Sequence, residues 1–154
     1  MRAERGFTFI ELIIVTAILA VLASTVLPMT QVTAQRQREV ELRRSLREMR
    51  TAIVRFKDAV DQGVIPTTEL EPQNEGYPSE LKTLVDGVAA ANDASGRKVK
   101  FLRRVPLDPV TGEAWGMRSY QDRPDSPRWG GQNVFDVYTT SDATALDGTK
   151  YRDW

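Results

Sequence analysis

A long apolar run near the N-terminus constrains this chain more than any other feature of its sequence. Residues Phe7 to Leu27 read FTFIELIIVTAILAVLASTVL, and Glu11 is the only charged residue among these 21. As a helix the run would be about 31 Å long, which matches the hydrocarbon core of a bilayer. The run therefore predicts a membrane-spanning helix over residues 7–28.

The flanks of the run indicate its orientation. Arg2 and Arg5 precede it, whereas the residues after it are uncharged up to Arg36. Because positive charge favours the cytoplasmic side, we expect a single pass with the N-terminus in the cytoplasm. A cleaved secretory signal is the alternative, but this run is longer than a signal core, contains Glu11 and has only a poor cleavage match at Leu22-Ala23-Ser24.

Composition excludes much catalytic chemistry. The chain has 154 residues, 21 of them basic and 21 acidic, and it contains neither histidine nor cysteine. Without imidazole or thiol groups there is no Ser-His-Asp triad, no histidine zinc site, no disulfide and no thiolate nucleophile. A glycine-rich phosphate loop is also absent. We therefore expect no enzymatic activity and no required cofactor, with a membrane-tethered enzyme or ligand-binding domain as the alternative.

Glu11 is the anomaly within the apolar run. A carboxylate on a spanning helix costs about 2.5–3.5 kcal/mol on insertion scales, so it should have a partner or a function. Either Glu11 lies near the membrane interface and extends to water, or a positive group meets it in an assembled state.

The segment Gly6-Phe7-Thr8-Phe9-Ile10-Glu11 resembles the processing motif of type IV pilins and pseudopilins. That motif is a short basic leader ending in glycine, then phenylalanine, then glutamate four residues later. The resemblance implies that a prepilin peptidase removes leader residues 1–6 by cutting between Gly6 and Phe7, and methylates the new Phe7 amine. It also implies that Glu11 pairs with the Phe7 amine of a neighbouring subunit, and Pro28 lies where the family often has a helix-kinking proline.

A second helical segment is predicted over residues 29–62. Its apolar residues recur at spacings of four and three along one helix face, namely Leu42, Leu46, Met49, Ile53, Phe56 and Val60. Gly63 and Pro66 supply a stop signal. An unbroken helix over residues 7–62 would be about 84 Å long, with a bend or local melting at Pro28. The stripe could be a coiled-coil seam, but it lasts under three heptads, so we expect it to dock on the rest of its own chain.

Charge is divided unevenly along the chain. Residues 36–57 carry eight basic and three acidic side chains, a net charge of +5, whereas residues 58–154 carry a net charge of −5. Such a basic helix could bind nucleic acid, anionic lipid or the acidic heads of neighbours. Because no aromatic residues interleave the arginines, we expect no nucleic-acid partner and favour contacts of Arg43, Arg44 and Arg47 with neighbouring subunits.

Residues 63–154 are predicted to form a globular periplasmic head. A loop over residues 63–78 leads to a short helix that starts at Pro78-Ser79-Glu80-Leu81 and ends within residues 92–96. Three candidate strands follow at Val99 to Arg103, Glu113 to Gln121 and Asn133 to Thr140. The predicted fold class is therefore α+β, with a small antiparallel sheet laid on the long N-terminal helix.

Segments of the predicted head also resemble a known family. Arg104-Val105-Pro106-Leu107-Asp108-Pro109 is similar to the Val-Pro-x-Asp-Pro segment of the major pseudopilins of type II secretion. Tyr77-Pro78-Ser79 and the tail Phe135-Asp136-Val137-Tyr138 are similar to the same family. The resemblance implies a pilin-like lollipop with a three-stranded head, anchored in the bacterial inner membrane and assembled into a periplasmic filament.

The same resemblance implies a structural function. A pseudopilin polymerises through its N-terminal helix with copies of itself and minor pseudopilins, after processing by prepilin peptidase, on an inner-membrane secretion platform that supports protein export. A type IV pilin for adhesion, motility or DNA uptake is the alternative. The lack of cysteine weighs against it, because pilin heads often close their C-terminal loop with a disulfide.

The last loop is a candidate metal site, because members of this family can hold calcium there. Asp142, Asp147 and Asp153 could supply the oxygen ligands that calcium prefers. The alternative is a solvated acidic loop closed by ordinary turn chemistry at Asp147-Gly148.

Overall fold

The computed structural model describes residues 6–91 and 96–154, without the side chains of residues 24–30. The chain divides into two compact units, Met1–Gln37 and Arg38–Trp154. The helix α1 (Phe9–Asp61) contributes residues to both of them.

The observed bounds of α1 agree closely with the predicted helix. Thr8 precedes the helix, and its hydroxyl accepts a hydrogen bond from the backbone N–H of Glu11 at 3.3 Å, as an N-cap residue does. At the other end, Gly63 adopts a φ of 71°, a left-handed conformation that glycine adopts readily. The backbone stays helical at residue 28, so the predicted local melting is absent. The Pro28 side chain lies outside the described residues.

The predicted membrane-spanning segment, residues 7–28, belongs to the first unit. Every residue from Gly6 to Ala23 is exposed, with Phe7 84% and Phe9 79% exposed. Within this stretch the Thr16 hydroxyl lies 2.9 Å from the carbonyl oxygens of both Leu12 and Ile13. Among the residues that the structure describes, no helix is long and apolar enough to cross a membrane.

The predicted apolar stripe forms one side of the core of the second unit. All six of its residues are at most 7% exposed: Leu42, Leu46, Met49, Ile53, Phe56 and Val60. They share one hydrophobic cluster with residues from the rest of the unit, including Ile65, Leu84, Leu102, Trp115, Val134 and Val137. The prediction that the stripe docks on its own chain is confirmed.

The short helix α2 (Leu81–Asp86) ends earlier than predicted. Gly87 stops it with a φ of 76°, and a Cβ atom there would lie 2.6 Å from the Val99 carbonyl oxygen. Residues Val88–Ala89 then form strand β1, which pairs antiparallel with β2 (Lys98–Val99). Val88 is therefore a strand residue, although it lies within the range of the predicted helix.

The prediction of one three-stranded sheet is wrong. In the described part of the chain, the strands form two antiparallel pairs, β1 with β2 and β3 (Gly116–Arg118) with β4 (Asp136–Tyr138). The first predicted strand ends at Val99 because the next backbone groups bond elsewhere. The N–H groups of Phe101 and Leu102 both donate to the Leu84 carbonyl of α2 at 2.9 Å. The α+β class and the antiparallel pairing are confirmed.

The remaining segments are turns and loops. The predicted loop over residues 63–78 contains two 3-10 turns, Thr67–Glu69 and Pro72–Asn74. A third 3-10 turn, Tyr151–Asp153, follows the last loop. These segments lie around the core formed by the second half of α1.

Candidate functional site

The predicted processing site lies in exposed, non-helical backbone. Gly6 and Phe7 come just before α1, and neither is assigned to a helix or strand. Phe7 is 84% exposed, and a Cβ atom at Gly6 would have no neighbour within 4 Å among the described atoms. A peptidase needs accessible backbone that is free of helical hydrogen bonds. The Gly6–Phe7 bond meets that requirement.

Glu11 lies in the first turn of α1. Its backbone N–H donates to the Thr8 hydroxyl, so Thr8 supplies the cap of the helix and the Glu11 carboxylate takes no part in it. The positive end of the helix dipole favours a negative charge at this position. Among the described residues the Glu11 side chain is exposed and has no hydrogen bond or ion pair. The carboxylate is thus available to a group outside that part of the chain.

The side chains of the three predicted calcium ligands have different surroundings. Asp142 Oδ1 pairs with Arg152 at 2.7 Å, and Asp147 Oδ2 pairs with Arg43 at 3.2 Å. Asp153 lies exposed in the last 3-10 turn. In the described ranges no three acidic side chains are grouped so that they could hold a metal ion. The structure therefore does not bring Asp142, Asp147 and Asp153 together.

Asp147 organises a turn instead. Its Oδ1 accepts hydrogen bonds from the Thr149 hydroxyl at 2.6 Å and the Thr149 N–H at 3.0 Å. These bonds, together with Arg43, hold the pKa of the Asp147 carboxyl below its usual range. The Gly148 N–H donates to the Ala145 carbonyl at 3.0 Å. These bonds form an ordinary turn at Asp147-Gly148, which was the alternative to a calcium site in this loop.

We expect calcium to leave the melting temperature of a fragment comprising residues 38–154 unchanged. The carboxylates of Asp142 and Asp147 already have cationic partners, and a calcium ion would have to displace them. Thermal unfolding followed by circular dichroism, in calcium and in a chelator, measures the difference. A calcium-dependent rise in the melting temperature that Asp147→Asn removes would contradict the expectation.

The last loop is fastened to α1 by polar contacts. Glu39 Oε1 accepts hydrogen bonds from the Leu146 N–H at 2.8 Å and the Tyr151 hydroxyl at 2.9 Å. The Arg43 guanidinium lies 4.1 Å from the ring centroid of Trp154, a favourable cation–π distance. The loop is therefore closed without a disulfide.

Arg50 joins three parts of the second unit. Its Nε lies 2.7 Å from Asp136 Oδ1, and its Nη2 donates to the carbonyl oxygens of Val137 at 3.1 Å and Trp154 at 2.7 Å. The planar guanidinium suits such a fork of acceptors. Arg50 was not predicted to have this role from the sequence, although it lies one residue after Met49 of the buried stripe. Arg43 and Arg50 thus pair with acidic residues of their own chain. The expected contact of Arg43 with a neighbouring subunit stays a prediction, because its side chain is still 55% exposed.

Asp108 is a buried acidic residue whose hydrogen bonds were not predicted from the sequence, where it was noted only for a family resemblance. It is 0% exposed, and its Oδ1 accepts a hydrogen bond from the Val110 N–H at 2.8 Å. Its Oδ2 accepts a hydrogen bond from the hydroxyl of Thr139, which is also buried. Trp115 Nε1 donates to the Pro106 carbonyl at 2.7 Å. The segment around Asp108 therefore has a structural role, because it ties a turn to Thr139, the residue that follows β4.

Comparison with known proteins supports the N-terminal prediction. Residues 1–27 match the family model for the prokaryotic N-terminal methylation motif. No curated protein and no solved structure matches the chain. The matched residues include Gly6, Phe7 and Glu11, and they indicate a prepilin signal of the type IV pilin kind.

Proposed function

We propose that this chain is a structural, non-catalytic subunit of a periplasmic pseudopilus that supports protein export. The methylation motif over residues 1–27 carries the proposal. In this scheme a prepilin peptidase cuts the exposed bond between Gly6 and Phe7 and methylates the new amine. The processed chain is anchored in the inner membrane by its N-terminal helix, with the head in the periplasm.

The exposed apolar residues between Phe7 and Ala23 support assembly through the N-terminal helix. So large an apolar surface is unfavourable in water and needs lipid or other subunits to cover it. When helices of several copies pack together, the Phe7 ammonium of one copy meets the Glu11 carboxylate of its neighbour. Each charge is costly in an apolar environment when alone and tolerable when paired. Subunit register is then set by one charge pair. A bend of the helix at Pro28 stays a prediction.

The second unit supports a structural role because it has its own core. The stripe from Leu42 to Val60 is buried within the same chain, so it does not require a partner helix. Folding of the head can therefore precede assembly. Minor pseudopilins and an inner-membrane secretion platform complete the proposed set of partners.

A pseudopilus is favoured over a type IV pilus by the head. The segment Val105 to Pro109 is similar to that of major pseudopilins, and the last loop is held by Glu39 and Arg43 rather than by a disulfide. A type IV pilin for adhesion, motility or DNA uptake is the second candidate, since the same N-terminal motif serves both. Deletion of the gene separates them: impaired export with normal surface motility supports the pseudopilus, and the reverse supports the pilus.

Mass spectrometry of the mature N-terminus tests the proposal. In cells that contain prepilin peptidase we expect a chain that begins at methylated Phe7, and in cells without it a chain that retains residues 1–6. Thr8→Ala is a matched control, because it removes the helix cap and leaves Gly6, Phe7 and Glu11 in place. A chain that keeps Met1 in the presence of the peptidase, or that begins near Ser24, would refute the proposal.

A further inference from the structure

A groove on the second unit is lined by four arginines. Arg44, Arg47 and Arg55 come from α1, Arg103 comes from the segment after β2, and the groove has a volume of about 460 Å³. Phe101 and Leu102 contribute apolar surface to it. Arginine side chains over an apolar floor are well suited to hold carboxylates, because the guanidinium binds both oxygens and the floor reduces competition from water.

The four groove arginines have no partner in the described part of the chain. All four are exposed, and none makes a hydrogen bond or ion pair with another described residue. Glu48 is the one acidic residue that lines the groove, so the groove keeps an excess of positive charge. Arg43 and Arg50 differ, because their guanidinium groups are paired with Asp147 and Asp136. The net positive charge of the helix is therefore only partly neutralised by its own head.

A preformed acidic segment lies elsewhere on the same unit. Residues 67–76 contain Glu69, Glu71 and Glu75, all exposed, and no basic residue. Two 3-10 turns and the buried Asn74 hold the segment in shape. Lys57 lies beside it, within 3.2 Å of a Cβ atom built on Gly76, but its ammonium is already paired with Asp61 at 2.5 Å. The segment thus presents an excess of negative charge.

We propose that the arginine groove of one copy binds the acidic segment, residues 67–76, of a second copy of this chain. This inference rests on the proposed function and names a contact between heads within the filament. The groove lies beside residues 44–55 of α1, whereas the acidic segment lies beside Lys57 and Asp61 near the helix end. Because the two surfaces differ, the contact is heterologous, and such a contact repeated along an axis produces an open filament.

Charge reversal in the full-length chain tests the contact. Arg44→Glu with Arg47→Glu is expected to lower the assembled fraction about tenfold or more, since like charges would then face each other. Glu69→Arg with Glu71→Arg should cause a similar loss, and the four changes in one chain should restore assembly. Arg123→Glu with Arg128→Glu is the matched control, because both residues are exposed on another loop and the net charge changes equally. Thermal unfolding should match that of the unaltered chain for all of these variants.

Cysteine cross-linking gives a direct readout, because the chain has no cysteine of its own. Arg47→Cys with Glu71→Cys in one chain should yield a ladder of disulfide-linked copies in filaments and in the membrane fraction. Arg123→Cys with Glu71→Cys, and each single variant, should yield no ladder.

The outcomes separate the two proposals. If Phe7 processing and filaments are normal but no ladder forms and charge reversal has no effect, the groove contact is wrong and the proposed function stands. If Phe7 is not processed, the proposed function fails, while the membrane-fraction cross-link still tests the groove. Binding to vesicles of anionic phospholipid that Arg44→Glu with Arg47→Glu abolishes, without any ladder, would assign the groove to lipid and overturn the contact.

Discussion

Glu11→Ala is expected to be inserted and cleaved normally but to fail in filament assembly. The substitution removes the carboxylate that compensates the Phe7 ammonium of the neighbour, and an uncompensated buried charge costs about 3–5 kcal/mol. That corresponds to more than about a hundredfold in the equilibrium constant of the contact. Insertion should be easier rather than harder, because the cost of placing a carboxylate on the helix disappears. Sheared filaments and the ratio of processed to unprocessed chain measure the two effects separately.

The structure supplies the controls for this experiment. The helix start should survive in Glu11→Ala, because the Thr8 hydroxyl accepts a hydrogen bond from the backbone N–H at residue 11. Glu11→Gln keeps the size of the side chain without its charge and should fail in the same way. Thr8→Ala disturbs the cap but not the charge pair and should assemble. Normal incorporation of Glu11→Ala into filaments would show that the pairing hypothesis is wrong.

Asp108→Ala is expected to lower the free energy of unfolding of the second unit by about 2–4 kcal/mol. The substitution leaves the buried Thr139 hydroxyl and the Val110 N–H without the acceptors that they have in the structure. It also creates a cavity at a position that is 0% exposed. Urea unfolding of a fragment comprising residues 38–154, followed by tryptophan fluorescence, measures the change.

Two further variants separate this effect from a general loss of charge. Asp108→Asn keeps one acceptor oxygen and the volume of the side chain, so it should lose only about 1 kcal/mol. Glu113→Ala removes an exposed carboxylate close by and should change stability by less than about 0.5 kcal/mol. If Asp108→Ala were as stable as Glu113→Ala, the buried hydrogen bonds of Asp108 would not hold the turn to Thr139.

Local patterns in the sequence predicted the helical part of this fold well. The spacing of apolar residues identified the buried face of α1 because a helix repeats every 3.6 residues regardless of what it packs against. Gly63 marked the end of α1, and α2 was found near its predicted start. The same signals missed the end of α2, where Gly87 is followed by two short strands that propensity alone does not reveal.

The pairing of the strands could not be predicted in the same way. Residues 101 and 102 have a strand-like composition, but their N–H groups donate to Leu84, far from them in sequence. Backbone hydrogen bonds form with whichever acceptor packing brings close, and that depends on the whole unit. The buried bonds of Asp108 and the fork of acceptors around Arg50 were missed for the same reason.

The sequence by itself determined the N-terminal methylation motif over residues 1–27, because such a motif is defined by the order and spacing of residues such as Gly6, Phe7 and Glu11. It also determined which face of α1 is apolar. Only the tertiary structure decided which arginines of that helix pair with residues of their own chain and which have no partner among the described residues. Arg43 and Arg44 are adjacent in sequence, yet successive residues point to different sides of a helix. The chain returns over one of those sides, so Arg43 meets Asp147 and Trp154 while Arg44 remains in the open groove.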